Sequence, residues 1–162
     1  MIKSGKKPKK PLRGGKVVVA VSGGFDPVHI GHVRLFNDAK KLGDELVVIL
    51  NNDNWLKQKK GFVFMPQKER KEIVMSLKCV DRVILTEHGL SPKDMSVCRE
   101  LKKIKPDIFA NGGDRARNTL PGPEVALCSE INCQMVFNIG KGGKVQSSSW
   151  LIERFLKNYG KK

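Results

Sequence analysis

No stretch of this 162-residue chain approaches the roughly 18 consecutive apolar residues that a membrane span needs. The N-terminus is basic but has no apolar run behind it, so it does not read as a secretory signal. Cysteine is sparse: Cys79, Cys98, Cys128 and Cys133 form no Cys-x-x-Cys pair and no zinc-like cluster with histidine. Reduced, buried thiols and a cytoplasmic setting are therefore expected. Acidic residues are missing altogether from residues 1–16, where Lys3, Lys6, Lys7, Lys9, Lys10, Arg13 and Lys16 supply +7 of the net +15. With so little apolar content, residues 1–16 are expected to form a disordered basic arm, and residues 159–162 a short basic tail. The remaining +8 (15 − 7) suits a protein that handles polyphosphates.

Between them, residues 17–158 alternate short apolar runs with helical patterns. Strands are expected at Val17–Val21, Leu46–Leu50, Val83–Leu85, Ile108–Ala110 and Gln134–Asn138. Helices are expected at Gly31–Leu42, Gln67–Leu77, Lys93–Ile104 and Pro123–Ile131, with a closing helix near Ser148–Asn158. In that last helix Leu151, Ile152, Phe155 and Tyr159 are predicted to face inward. The alternation predicts a single α/β, doubly wound, Rossmann-like domain with a five-stranded parallel sheet. Ligands of such folds bind beyond the carboxyl ends of the strands. The segments that follow the strands are therefore the ones to read for chemistry.

The first such segment is Ser22-Gly23-Gly24-Phe25-Asp26-Pro27-Val28-His29-Ile30-Gly31-His32. Gly23 and Gly24 permit a tight turn and close approach to a ligand, and the following helix aims its free amides at the same place. His29 and His32, two of only three histidines, share one side of that helix start, and Gly31 leaves the space between them open. Two imidazoles with helix amides suit charge developing on a transferring phosphoryl group. The plainer alternative is a pair of capping or core histidines. A Walker A loop and a Gly-x-Gly-x-x-Gly fingerprint are both absent.

Gly24-Phe25-Asp26-Pro27-Val28-His29-Ile30-Gly31-His32 resembles the signature of the cytidylyltransferase-like nucleotidyltransferase superfamily, which shares His-x-Gly-His with class I aminoacyl-tRNA synthetases. The chain is too short for a synthetase, and the resemblance extends over about residues 17–157. It implies direct in-line attack by an acceptor phosphate on the α-phosphorus of ATP or CTP, with Mg2+, releasing pyrophosphate. It also implies roles for His29 and His32 in catalysis, nucleotide binding at Gly24, Phe25, Asp26 and Gly31, and a homodimer. No protein side chain is assigned as a metal ligand.

Three later segments carry the resemblance further. Asn51-Asn52-Asp53-Asn54-Trp55-Leu56-Lys57-Gln58-Lys59-Lys60-Gly61 follows the second strand. Its Lys59 and Lys60 are candidates to steady the triphosphate and Lys57 to meet the acceptor, against the alternative of a solvated basic loop. Lys60 before Gly61 resembles heptose-1-phosphate adenylyltransferases, and the lysine cluster resembles glycerol-3-phosphate cytidylyltransferases. Arg70, in Pro66-x-x-x-Arg70, is a candidate for a phosphate contact or for helix packing. Asn111-Gly112-Gly113-Asp114-Arg115 follows the fourth strand. Asn111, Gly112, Gly113 and Asp114 are candidates for base or ribose, and Arg115 for the acceptor. Ser147-Ser148-Ser149 opens the closing helix and suits β- and γ-phosphates. Relatives place a basic residue three positions later, where this chain has Ile152, so Arg154 or Lys144 is expected to supply that charge. His88, after the third strand, is a further acceptor candidate.

The expected function is transfer of AMP or CMP from ATP or CTP to a small phosphorylated sugar, polyol or alcohol. Gly112-Gly113-Asp114 and Leu151-Ile152-Glu153-Arg154 lean toward ATP and a sugar phosphate, with a glycerol-3-phosphate-type cytidylyltransferase as the alternative. Flavin mononucleotide and phosphonates stay open as acceptors. The rival of another class is a basic nucleic-acid-binding protein reusing the fold. It lacks an aromatic RNA-binding strand or a helix-turn-helix pattern to support it.

Overall fold

A computed structural model of the chain describes residues 15–113, 117–140 and 147–159. The basic arm up to residue 14, Asp114, Arg115, Lys144 and the last residues of the tail lie outside the described residues. Five parallel strands form one sheet: β1 (Val18–Gly23), β2 (Glu45–Leu50), β3 (Arg82–Leu85), β4 (Ile108–Gly112) and β5 (Gln134–Ile139), in the order β3-β2-β1-β4-β5. The helices are α1 (Ile30–Lys40), α2 (Asp53–Lys60), α3 (Gln67–Met75), α4 (Cys98–Ile104), α5 (Gly122–Glu130) and α6 (Ser148–Tyr159). The chain steps outward from β1 to β3, then returns to the other side of β1 for β4 and β5. The order thus reverses beside β1, which puts the crevice between the β1 and β4 ends.

Side-chain alternation along the strands divides the core into two layers. Val19, Val21, Leu46, Val48 and Leu50 pack with Phe36 and Ala39 of α1 and Val74 of α3. Ala20, Ile49 and Phe109 pack with Leu101 of α4 and Leu127 and Cys128 of α5. The central strands are buried on both faces, which is why they read as unbroken apolar runs.

Three expectations change. Helix α2 arises where a basic loop was the plain alternative. Asn52 caps it by accepting the Trp55 amide at 3.0 Å, and Gly61 ends it in the left-handed region at φ 81°. With Leu56 as its single buried residue, α2 has no apolar stripe to betray it. Helix α4 begins at Cys98 rather than Lys93, because Asp94 Oδ1 accepts the Ser96 amide at 2.9 Å and competes with a helical turn there. In α6, Leu151 and Ile152 are half-buried, but Phe155 and Tyr159 are exposed, their rings 4.7 Å apart. Periodicity locates an apolar stripe but cannot say that the same chain covers it.

Candidate active site

The turn after β1 is built on Phe25, held at φ 48° and buried, with its ring edge-on to both Phe36 and His32 at 4.9 Å. His29 is the N-cap of α1 in extended backbone, and its Nδ1 accepts the Gly31 amide at 3.1 Å. His32, in the first turn, returns the bond: its Nδ1 accepts the His29 amide at 3.3 Å. This is a capping box made of two imidazoles. A backbone N–H can only donate, so each Nδ1 must be unprotonated, and each neutral ring carries its proton on Nε2. Capping and function were alternatives for these histidines in the sequence. Here the cap itself fixes which ring nitrogen is left to donate.

Charge agrees with that tautomer. The rings stack with centroids 3.6 Å apart, where two imidazolium ions would repel. Burial, followed by the positive charges of His29 and Lys60, brings the His32 pKa down to about 3. Burial, and then Lys60, also lowers that of His29. At neutral pH the pair is an uncharged double donor next to an ammonium.

That ammonium is Lys60, half-buried on the last turn of α2, whose Nζ donates to the Asp26 carbonyl at 3.2 Å. Burial lowers its pKa and Arg70 adds to this, while Asp26 opposes it. Lys57 and Lys59 are exposed on α2, so of the three lysines the fold brings only Lys60 to the histidines.

Asp26 and Arg70 serve the loop rather than solvent. Asp26 is fully buried, its carboxylate accepting the Phe64 amide at 2.8 Å and the Met65 amide at 2.7 Å. Arg70 is also fully buried. It donates to the Met65, Gly24 and Asn51 carbonyls at 2.8, 2.6 and 2.8 Å and to Asp53 Oδ1 at 2.7 Å. An acceptor phosphate cannot reach that guanidinium, and helix packing is the alternative that fits. Gly24 is explained by packing too: a Cβ there would lie 2.7 Å from Leu56 Cδ2.

Beyond β4, Asn111 is buried, its Nδ2 donating to the Phe109 carbonyl at 3.3 Å. Gly112 makes room for Leu35 and the Ile139 carbonyl, which a Cβ would meet at 2.9 and 3.0 Å, whereas Gly113 turns at φ 69° in open space. At the start of α6, Ser148 is buried and its Oγ donates to the Pro27 carbonyl at 2.9 Å, tying this helix to the histidine turn. Ser147 is half-buried, and Ser149 and Arg154 are exposed. His88 spends both ring nitrogens inside the protein. Nε2 donates to the Ser96 carbonyl at 3.1 Å, so Nδ1 accepts the Thr86 hydroxyl at 2.9 Å, and Thr86 Oγ1 accepts the Asn52 amide. An acceptor role does not suit it. Asn51 had no assigned role in the sequence. It sits at the end of β2 with a buried Oδ1 that has no hydrogen-bond partner among the described residues.

The model of the cytidylyltransferase-like family matches residues 20–136. The chain belongs to that family. It is a nucleotidyltransferase. Over 140 residues it is 31% identical to the FAD synthase of Archaeoglobus fulgidus, covering 86% of this chain and 97% of that protein. It is also 31% identical over 149 residues to the bifunctional protein HldE of Syntrophotalea carbinolica, covering 91% of this chain but 28% of that longer protein. Among solved structures, a lipopolysaccharide core biosynthesis protein from Thermoplasma volcanium superposes with a TM-score of 0.65 at 29% identity, covering 79% of this chain and all of that one. No helix among the described residues is long and apolar enough to cross a membrane.

Proposed function

We propose that this nucleotidyltransferase moves AMP from ATP to the phosphate of FMN, forming FAD and releasing pyrophosphate. The observation that carries the reaction is the capping-box pair, two neutral Nε2–H donors beside the Lys60 ammonium. A phosphate acceptor is largely ionised at neutral pH, so the attacking oxygen needs no general base. An oxygen of the FMN phosphate forms the bond to the α-phosphorus, and the bond from that phosphorus to the bridging oxygen of pyrophosphate breaks. His29 and His32 donate to the α-phosphate oxygens as their charge grows, and Lys60 offsets the remainder. Ser149 and the amides opening α6 hold the leaving pyrophosphate. Asn111, Gly113 and Asp114 meet base or ribose, and Lys57, Lys59 and Arg115 are the cations left for the acceptor phosphate.

Magnesium enters this reading on the triphosphate's own oxygens, where it neutralises charge. Among the described residues no group of three or more His, Cys, Asp or Glu could hold a metal ion. FMN is favoured because the likeness to the archaeal FAD synthase runs along almost the whole of that protein. A sugar phosphate is the second reading, favoured by Gly112-Gly113-Asp114 and by the likeness to HldE.

One assay separates them. The protein is incubated with Mg2+ and either ATP or CTP, against FMN, a sugar 1-phosphate or glycerol 3-phosphate, and pyrophosphate and FAD are measured. Pyrophosphate with equimolar FAD is expected for ATP plus FMN. Pyrophosphate with a sugar phosphate and none with FMN would replace this reading with the second.

A further inference from the structure

The segment between α2 and α3 combines a fixed backbone with uncovered rings. Asp26 accepts the Phe64 and Met65 amides at 2.8 and 2.7 Å, and Arg70 Nε holds the Met65 carbonyl at 2.8 Å. The backbone at Phe64 and Met65 is therefore clamped from two sides by fully buried charged groups. Yet the Phe62 and Phe64 side chains are 44% and 55% exposed, and Ile30, between the two histidines in sequence, is 53% exposed. A frayed loop would expose apolar groups at little cost. A clamped loop that does so presents them in a set position.

Their position in the fold indicates which substrate they serve. The clamp runs through Asp26, whose carbonyl also takes the Lys60 ammonium, and Asp26 lies three residues before His29. The loop leaves α2, which follows β2, on one side of β1. The segments proposed for the nucleotide follow β4 and β5, on the other side of β1. An acceptor approaching the α-phosphate in line, opposite the leaving pyrophosphate, comes in from the side away from the nucleotide cradle. The exposed Lys57 and Lys59 and the exposed Phe62 and Phe64 lie in the chain between β2 and α3, on that side of β1. A small sugar or glycerol offers such rings nothing, whereas a flat heteroaromatic system stacks on them.

We propose that Phe62 and Phe64, with the exposed Ile30, form the platform that selects an acceptor with a planar aromatic group, the isoalloxazine of FMN. This rests on the FMN reading and names the residues that would carry it. No bond is made or broken by the platform. It acts on acceptor binding and orientation alone.

The test uses the whole chain with Phe62→Ala, Phe64→Ala, both together, and the conservative Phe64→Tyr. FMN binding is titrated by calorimetry without ATP, and KM for FMN and for ATP are then measured with Mg2+. Wild type should bind FMN, and the double variant should bind it about a hundredfold more weakly. KM for FMN should rise about tenfold per ring removed, with KM for ATP unchanged and Phe64→Tyr near wild type. Circular dichroism verifies that each variant is folded. If wild type makes FAD but the alanine variants keep its KM for FMN, or raise KM for ATP instead, the platform is overturned and the FMN reading stands. If wild type neither binds FMN nor makes FAD, both fall.

Discussion

Two helix N-termini meet at the same edge of the sheet, and they are held in opposite ways. At the start of α1, the side chains of His29, His32, Asp26 and Arg70 are engaged with backbone groups, and the Phe25 ring supports His32 from below. At the start of α6, Ser148 reaches across through a bond to Pro27, and the helix then runs on with Phe155, Leu156 and Tyr159 exposed. Both would be read from sequence as anion sites by the same rule. The rule is right about the orphan amides but silent about rigidity. The first corner is organised before any ligand arrives. The second is joined to it through the Ser148 hydroxyl and runs on into an exposed apolar face, so its contribution should be smaller and easier to remove.

The largest effect should come from the buried guanidinium that braces the first corner. Arg70→Met leaves Asp53 without its cation and strips the donors from three carbonyls, so we expect a loss of about 3 kcal/mol or more of stability in urea unfolding. A variant that keeps its unfolding midpoint but loses acceptor affinity would instead make Arg70 a ligand and break the contrast.

Next come the histidines, where capping and chemistry can be separated. Asparagine is a good N-cap but lacks the distal N–H. His29→Asn should hold stability to within about 0.5 kcal/mol while kcat falls roughly 10²–10³-fold, as when a preorganised donor is lost. His32→Asn should lose similar activity and some stability, since it forfeits the ring contact with Phe25. Near-normal turnover in either folded variant would leave the pair as a cap and nothing more.

Much of this corner was legible in the sequence, and the reasons differ by residue. His29, Gly31 and His32 announce themselves because the spacing on a helix start decides both their side and their environment. The parallel sheet was legible because strands buried on both faces leave continuous apolar runs. Arg70 and His88 were not, because a cation or imidazole turns inward only when distant carbonyls and hydroxyls arrive to meet it. Those partners lie at Gly24, Asn51 and Met65 for one and at Thr86 and Ser96 for the other. Gly112 was read as a ligand's neighbour for a related reason: a missing Cβ looks the same whether a nucleotide or Leu35 fills the space. Helix α2 escaped notice because caps, not an apolar stripe, define it.

Titration offers a third, moderate effect. With its folded pKa held near 3 against an ordinary 6.5, His32 binds its proton more readily in the unfolded chain. Stability tied to it is therefore full above about pH 6.5 and declines as pH falls toward about 3, where both states are protonated. Urea midpoints at about pH 7.5 and about pH 5 should separate more for wild type than for His32→Asn. The same shift predicts no limb from His32 in kcat/KM between about pH 6 and about pH 8, because that donor stays neutral throughout. An activity loss centred on the ordinary histidine value would mean that one ring acts charged.

The smallest effects belong to the second corner, and they can be played against each other. Ser148→Ala removes one buried hydrogen bond and leaves the Pro27 carbonyl without its donor, a cost of about 1 kcal/mol. Because that bond ties the two corners together, KM for ATP should rise a few-fold along with it. Ser149 is exposed. If its hydroxyl holds the leaving pyrophosphate, Ser149→Ala should leave thermal stability unchanged and lower kcat by roughly tenfold, the order of one hydrogen bond made to a charged group. The two serines are then distinguishable by which measurement moves: the melting temperature for Ser148, the turnover for Ser149. Should Ser149→Ala change neither, the α6 terminus would contribute only its amides and its tie to Pro27. The chemistry would then rest almost entirely on the corner that the histidines cap.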